Sequence, residues 1–355
     1  MYYCIIIPAY NPDTRLIEYC RELINAGFKK IIIIDDGSRN ECKPVFEELQ
    51  HLPQITLLTH AVNMGKGRAL KDAFNYYLIK IKPEGYNGVI TADSDGQHLA
   101  KDVIRIAEEM HKYPDSLILG CRDFNGKNVP FKSKYGNRIT KNVLKFLVGG
   151  SISDTQTGLR GIPSHYVEKC CCFPGERFEY ETNMLIDSIR TKIDIREIEI
   201  ETLYFDNNNE THFDTIKDSL AIYRTIFSTF LKFIISSFSS FIVDYVLFSI
   251  LFFCLVTFKA DLRIWISTII ARIFSSLFNY KLNKKAVFSA DADNKTILWY
   301  YLLCICQMAC SAYLVSIFNR YGILKVEIAK IVADTILFLI SFQIQGRFIF
   351  RKRTK

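Results

Sequence analysis

Two stretches of this chain are too apolar to be left in water. Phe233 to Phe258 carries one charge, Asp244, and Thr296 to Phe318 carries no Asp, Glu, Lys or Arg. Each exceeds the roughly 20 residues with which an α-helix crosses a bilayer core, where every backbone polar group must be satisfied internally. Segments 264–282, around Arg272, and 328–346, around Lys330 and Asp334, are weaker candidates alone, but in this company they complete a set of four spans. The expected membrane-spanning helices are thus 233–258, 264–282, 296–318 and 328–346, in a domain covering 226–355. Asp244, Arg272, Asn279 and Asp334 are costly in lipid, so they should face the bundle interior or a partner subunit, with Asp244 or Asp334 a partner for Arg272. The hydroxyls of Ser236, Ser237, Ser239 and Ser240 suit close helix packing.

Residues 1–225 follow another pattern. Short β-branched runs alternate with amphipathic stretches, which is the signature of a mostly parallel sheet flanked by helices. Expected strands are Cys4 to Ile7, Lys30 to Asp35, Ile55 to Thr59, Gly88 to Ala92, Ser116 to Cys121 and Ile195 to Ile200. Helical patterns fall on Thr14 to Ala26, Lys43 to Gln50, Gly67 to Ile81 and Lys101 to Lys112. A mean hydropathy of +0.10 therefore averages two unlike parts and describes neither.

The net charge of +8 is consistent with nucleic acid, anionic lipid or a phosphate-bearing substrate until position decides. With four spans, Lys281, Lys284, Lys285 and Lys295 share a side with Arg347, Arg351, Lys352, Arg353 and Lys355. The other side receives Lys259, Arg263, Arg320 and Lys325. The bias places both termini and the α/β half in the cytoplasm and assigns part of the basic excess to topology, with no nucleic-acid partner implied. The opening MYYCIIIPAYNP lacks a basic leader and reads as a first strand. Eleven dispersed cysteines suit a reduced compartment; Cys170, Cys171 and Cys172 read as packing, and Cys304, Cys306 and Cys310 as helix surface. The stretch His212 to Lys232, with Lys217 and Arg224, could lie along the membrane interface.

Unusual residues gather at the strand ends, where open α/β sheets bind ligands. The first strand runs into Pro8, Ala9, Tyr10 and Asn11, the second into Asp35, Asp36, Gly37 and Ser38, and the third leads to Asn63 through Arg68, including Lys66. The fourth ends in Asp93, Ser94, Asp95, Gly96, Gln97 and His98. Asp93 and Asp95, on a chain leaving a strand, form a hard oxygen site for Mg²⁺ or Mn²⁺, with Gln97 as a neutral third donor. The plainer alternative is a solvated acidic turn that caps the following helix.

In order, PAYN, IIIIDDGS, NMGKGRAL and ADSDGQH closely resemble the inverting family 2 glycosyltransferases of GT-A fold. ILGCRDF, VPFKSKYGNRI, DTQTGLRGI and RFEYETNML narrow the resemblance to polyprenyl-phosphate (dolichyl-phosphate type) hexosyltransferases. FNYKLNKKAVF and FQIQGRFIFR resemble a GtrA-like four-helix membrane domain. The likeness covers nearly the whole chain and departs at Pro12, where the family commonly has Glu. It implies a GT-A α/β domain followed by an all-α transmembrane domain, and transfer of a hexose, glucose or mannose, from UDP- or GDP-sugar to undecaprenyl or dolichyl phosphate. It further implies that Pro8, Ala9, Tyr10 and Asn11 wall the nucleotide and that Asp35 or Asp36 holds base and ribose. Lys66 would lie near the phosphates, Asp93 on the nucleotide and metal side, and Asp95 and Gln97 on the metal.

Arg122 matches the acceptor-phosphate arginine, with Arg138 or Lys134 as the second cation; Asp154 either shapes the acceptor side or caps a turn. The Ile-, Lys- and Asn-rich composition points to a bacterial plasma membrane and undecaprenyl phosphate, and intramembrane polar groups would suit a homo-oligomer. Two alternatives stand beside this reading. One is a transferase extending a membrane glycan or glycolipid, although the Gln-x-x-Arg-Trp string of processive synthases is absent. The other is a flippase of lipid-linked sugar with a nucleotide-sugar-binding domain.

Overall fold

The computed structural model describes residues 2–123, 131–201, 217–288, 290, 295–321 and 325–350. The chain divides into two compact units, Met1–Ile226 and Phe227–Lys355.

The first unit is built on a seven-stranded sheet. Its strands are β1 (Cys4–Ala9), β2 (Ile31–Asp35), β3 (Ile55–Thr59), β4 (Gly88–Thr91), β5 (Leu117–Arg122), β6 (Arg160–Pro163) and β7 (Ile195–Ile200), in the order β3-β2-β1-β4-β6-β5-β7. All neighbours pair in parallel except β6, which is antiparallel to both β4 and β5. Ile31 to Ile34 are buried, as a strand covered on both faces requires. Helices α1 (Arg15–Asn25), α2 (Lys43–Gln50), α3 (Lys66–Tyr76), α4 (Ala100–Lys112), α5 (Phe131–Leu147), α6 (Ser164–Cys170) and α7 (Glu179–Thr191) supply the covering layers. In α1, Leu16, Cys20 and Leu23 recur at helical spacing and reach the core with Ile5, Ile7 and Ile33. Strand order reverses between β1 and β4, and a crevice at such a switch point is where α/β sheets take ligands.

Several expectations need correction here. The first strand continues past Ile7, because Pro8 and Ala9 hold register with Ile34 and Asp35. The fifth starts at Leu117 and runs one residue further, so Arg122 is its last residue. The helix expected through Ile81 leaves α geometry at Tyr76 and finishes in one π turn, where the Tyr77 hydroxyl donates to Tyr86 O at 2.7 Å. Strand β6 was not expected at all, since Arg-Gly-Ile-Pro has neither the length nor the alternation of a strand. Of the cysteine run, only Cys170 is buried, because α6 ends there and the chain turns Cys172 outward.

The second unit holds helix α9 (Ala260–Leu282), α10 (Lys295–Arg320) and α11 (Val326–Ile344), with the greater part of α8 (Lys217–Cys254). Two windows, within Lys217–Cys254 and Lys295–Phe318, are long and apolar enough to cross a membrane; their mean hydropathies are 1.9 and 1.8. They are also hardly buried, at 11% and 6% of residues, so their apolar faces need a non-aqueous surrounding. Within the segment expected to lie at the interface, Lys217 to Lys232 is helical and continues into the rest of α8. No Gly or Pro interrupts it, and residues 212–216 lie outside the described residues.

Polar groups in this unit find one another. Asp244 pairs with Arg272 at 3.4 Å and accepts from Ser275 Oγ at 2.8 Å. Asp334 pairs with Lys330 on its own helix at 3.0 Å and accepts from Ser311 Oγ at 2.6 Å. An amide seam links three helices. Asn279 Nδ2 donates to Ser240 Oγ at 2.9 Å, Asn283 Nδ2 to Asn279 Oδ1 at 2.8 Å and to Gln345 Oε1 at 2.9 Å, and Gln345 Nε2 to Ser341 Oγ at 2.9 Å. Ser236 and Ser240 are buried, as close packing requires. Both α9 and α11 run into a π turn, Asn283–Val287 and Gln345–Ile349, and the residues ending these turns, Phe288 and Phe350, stack with centroids 5.4 Å apart. Asn283→Ala should lower the stability of the full chain in detergent by about 1–2 kcal/mol, since it unties α9 from α11; denaturant unfolding followed by fluorescence checks it.

Candidate active site

The switch-point crevice is organised by its turns. Asn11, at φ +50°, follows β1; its amide donates to Ser38 Oγ at 2.9 Å, and its side-chain oxygen accepts the Arg39 amide at 2.9 Å. Pro8 and Ala9 are buried and Tyr10 is half-buried beside this knot. Asn11 therefore ties the first turn to the second.

The two carboxylates after β2 have separate duties. Asp36 is buried and accepts the amides of Met64 and Gly65, both at 2.8 Å, with His60 Nδ1 at 2.8 Å. His60 Nε2 continues to Asp72 at 3.1 Å. Asp36 is thus committed to fixing the loop before α3. Asp35 is half-buried and accepts the Ser38 amide at 2.8 Å, which leaves it the better placed of the pair to meet a ligand. Gly65, at φ +98°, starts α3, and a Cβ there would press on Arg177 Cγ at 2.9 Å, so the turn needs glycine.

That turn delivers Lys66 into the acid cluster. Its ammonium sits 2.7 Å from Asp93 Oδ1 and 2.9 Å from Glu181 Oε2, and the side chain is 17% exposed. Burial opposes the charge, but Asp93 and then Glu181 outweigh it and hold Lys66 above the ordinary lysine range. Burial likewise works against ionised Asp93, and Lys66 and then His98, 3.3 Å away, overcome it and depress its carboxyl.

Asp95 is treated differently. The protein packed around it first and the Asp93 charge second push its carboxyl up, although the side chain reaches solvent, and the Gln97 amide at 3.0 Å partly offsets them. Among the described residues Asp95 forms no ion pair, and they contain no cluster of three His, Cys, Asp or Glu arranged for a metal. The donor chemistry nevertheless suits a hard divalent cation: an under-compensated carboxylate, a second carboxylate and an amide oxygen lie within five residues, Asp93 to Gln97.

Space at Asp93 is set by Gly158, because a Cβ there would come within 2.6 Å of Asp93 Cγ. The Thr91 hydroxyl fixes that glycine by donating to its carbonyl at 2.8 Å.

On the other flank Arg122, at the end of β5, grips Asp154 with Nε at 2.7 Å and Nη2 at 3.1 Å. Asp154 is fully buried and also accepts the Gln156 amide at 3.0 Å, so it both aims the guanidinium and caps its turn. Lys134 and Arg138 stand exposed one turn apart on α5. Between them, Asn137 Nδ2 donates to Ser153 O at 2.7 Å, and Asn137 Oδ1 accepts the Thr155 amide at 3.1 Å, which ties α5 to the Asp154 turn.

Sequence reasoning assigned no part to Glu181, Gly158, Asn137 or His60. Glu181, Gly158 and Asn137 stand inside the quoted motifs RFEYETNML, DTQTGLRGI and VPFKSKYGNRI, whose order along the chain is visible while the convergence of the first two on Asp93 is not.

A mostly parallel sheet with acidic turns at its switch point, joined to apolar helices, defines a membrane-bound glycosyltransferase of GT-A type. Residues 4–173 match Glycosyl transferase family 2, and residues 232–350 match the GtrA/DPMS transmembrane domain. The chain carries a family 2 glycosyltransferase domain followed by a GtrA/DPMS membrane domain. It is 28% identical over 222 residues, 56% of this chain and 85% of the other, to the UDP-N-acetylglucosamine–dolichyl-phosphate N-acetylglucosaminyltransferase of Methanococcus voltae. It is 27% identical to a dolichyl-phosphate beta-glucosyltransferase of Trichomonas vaginalis, over 49% of this chain and 59% of that one. With the polyprenol monophosphomannose synthase of Mycolicibacterium smegmatis it shares 25% identity, over 46% and 63%.

Two outcomes follow. A carboxyl raised on folding destabilises the fold once ionised, an effect fully present above its folded pKa and absent below its unfolded one. Asp95→Asn should therefore raise the thermal midpoint at pH 7 without divalent cations, and the gain should vanish towards pH 3. Gly158→Ala should displace the Asp93 carboxylate and cut turnover roughly 10²-fold, measured with the fold verified by circular dichroism.

Proposed function

We propose that the chain transfers a hexose, or its N-acetylamino derivative, from a nucleotide diphosphate sugar to a polyprenyl phosphate, with inversion at the anomeric carbon. The observation that carries this reading is the combination, in one chain, of an acidic GT-A crevice flanked by half-buried Lys66 and Arg122 with a GtrA/DPMS membrane domain. The relatives, two of whose names print dolichyl phosphate and one a polyprenol monophosphomannose, support the same acceptor class.

In this reading Pro8, Ala9, Tyr10 and Asn11 wall the nucleotide, and Asp35 meets base or ribose. Asp36 is left to its loop. Asp93, Asp95 and Gln97 would hold Mg²⁺ or Mn²⁺, which would neutralise charge developing on the departing diphosphate. Lys66 adds a positive charge on the same side.

An acceptor phosphate oxygen attacks the anomeric carbon as the bond from that carbon to the diphosphate oxygen breaks, and the nucleoside diphosphate leaves with the electron pair. The acceptor monoester already carries about −1.5 to −2 charge, so no strong base is required. What it requires is a fixed cation. Arg122, aimed by Asp154, supplies one, and Lys134 or Arg138 on the tethered α5 supplies the second. The unit containing this site and both chain ends lie on the cytoplasmic face, a placement supported by Lys281, Lys284, Lys285, Lys295 and Arg347; Arg351, Lys352, Arg353 and Lys355 lie outside the described residues.

The test is incubation of the full chain in detergent with Mn²⁺, radiolabelled UDP- and GDP-sugars and polyprenyl phosphate. Labelled lipid should form with one donor class and disappear in Asp95→Ala. Arg122→Ala should raise the KM for the lipid acceptor by about tenfold or more, with a smaller effect on the donor. A defect confined to the donor would move Arg122 out of the acceptor site.

A further inference from the structure

Lys66 is held by more than the diphosphate-binding role requires. One ammonium bridges two anions that come from different elements, Asp93 beyond β4 and Glu181 in the first turn of α7. Glu181 is itself well fixed. Its side chain is 9% exposed and lies 3.8 Å from Arg160 Nε, and its carbonyl accepts Arg160 Nη1 at 2.9 Å. Gly67 allows this closeness, since a Cβ there would run into Tyr180. Asp95 meanwhile has the Gln97 amide and no ion pair among the described residues. Lys66 thus serves Asp93 and Glu181, His98 serves Asp93, Arg160 stands by Glu181, and Asp95 lies beside them without an ion pair among the described residues.

We propose that Lys66 is a resident counter-ion standing in for the divalent cation at Asp93, and that Glu181 is the positioning residue that keeps it in the site when that cation arrives. The inference rests on the divalent-cation reading above. A doubly charged ion bound by Asp93 and Asp95 repels an ammonium at hydrogen-bonding distance from Asp93. With Asp93 as its sole anchor the lysine would be driven out. Glu181 offers a second carboxylate on the far side, so the ammonium shifts its bonding there and keeps its remaining donors for an anionic ligand in the crevice. Cation and ammonium therefore compete for Asp93, whereas cation and donor diphosphate favour each other's binding. That coupling is reciprocal by thermodynamic necessity.

Binding of Mn²⁺ alone to the full chain in detergent, followed by loss of the free-ion EPR signal, reads this without turnover. Lys66→Met removes the competitor and should tighten Mn²⁺ about tenfold. Glu181→Gln leaves the whole ammonium to Asp93 and should weaken Mn²⁺ by a similar factor. Lys66→Arg keeps the charge and should stay within about threefold of wild type; paired with Glu181→Gln, it carries the test if Lys66→Met does not fold. Adding UDP or GDP should tighten Mn²⁺ in wild type and much less in Lys66→Met. Wild-type binding with both charge-removing variants unchanged, or shifted in the same direction, overturns this inference alone. A wild-type chain that takes up no Mn²⁺ overturns the divalent-cation reading and this one with it.

Discussion

The Lys66 bridge is the interaction on which the rest of the catalytic unit is arranged. It joins the start of α3, the chain leaving β4 and the first turn of α7, three elements remote in sequence. Each needs its own preparation to reach the bridge. Asp36 clamps the loop ahead of α3, Gly158 leaves room for Asp93, and Arg160 steadies the α7 turn. Remove the bridge and Asp93 and Glu181 lose the ammonium they share, a loss that their partly desolvated surroundings penalise. Stability and function therefore pull on the same atoms. Asp93 is compensated by Lys66 and His98, while the Asp95 carboxyl is pushed up.

The membrane unit meets the same electrostatic constraint with different side chains. Where the crevice uses ions, the seam through α9 and α11 uses neutral amides and hydroxyls, which satisfy each other at lower desolvation cost. Its ionic pairs, Asp244 with Arg272 and Asp334 with Lys330, each draw in a serine hydroxyl. The two π turns carry Asn283 and Gln345 to the same place from separate helices, which is how two sequence-distant amides meet.

Much of this was legible in the sequence, for stated reasons. Ile runs buried on both faces, acidic turns at strand ends and uncharged stretches of spanning length are local signals, and they placed the sheet, its crevice and the apolar helices. What escaped was non-local or locally weak. Strand β6 is four residues containing Gly and Pro, and it exists because β4 and β5 leave a gap that it fills with opposite polarity. Asp35 and Asp36 are identical in sequence terms; only the amides of Met64 and Gly65, brought over by the following loop, separate a structural carboxylate from one available to a ligand. Arg122 was visible as a cation, but the carboxylate that aims it, Asp154, lies 32 residues away along the chain.

Gly158 gives the acid motif a hidden second half. The Asp-x-Asp-x-Gln string can be copied into any strand end, yet it projects its first carboxylate into the crevice only where a hydrogen atom, and not a methyl group, stands at the end of a turn 65 residues downstream. Descent with loss of activity could therefore begin outside the motif. A relative that keeps all three motif residues but bears alanine or serine at this turn would look intact by inspection while having nowhere to put its first aspartate. The glycine, more than the string, is the position to read when sorting active chains from silent ones.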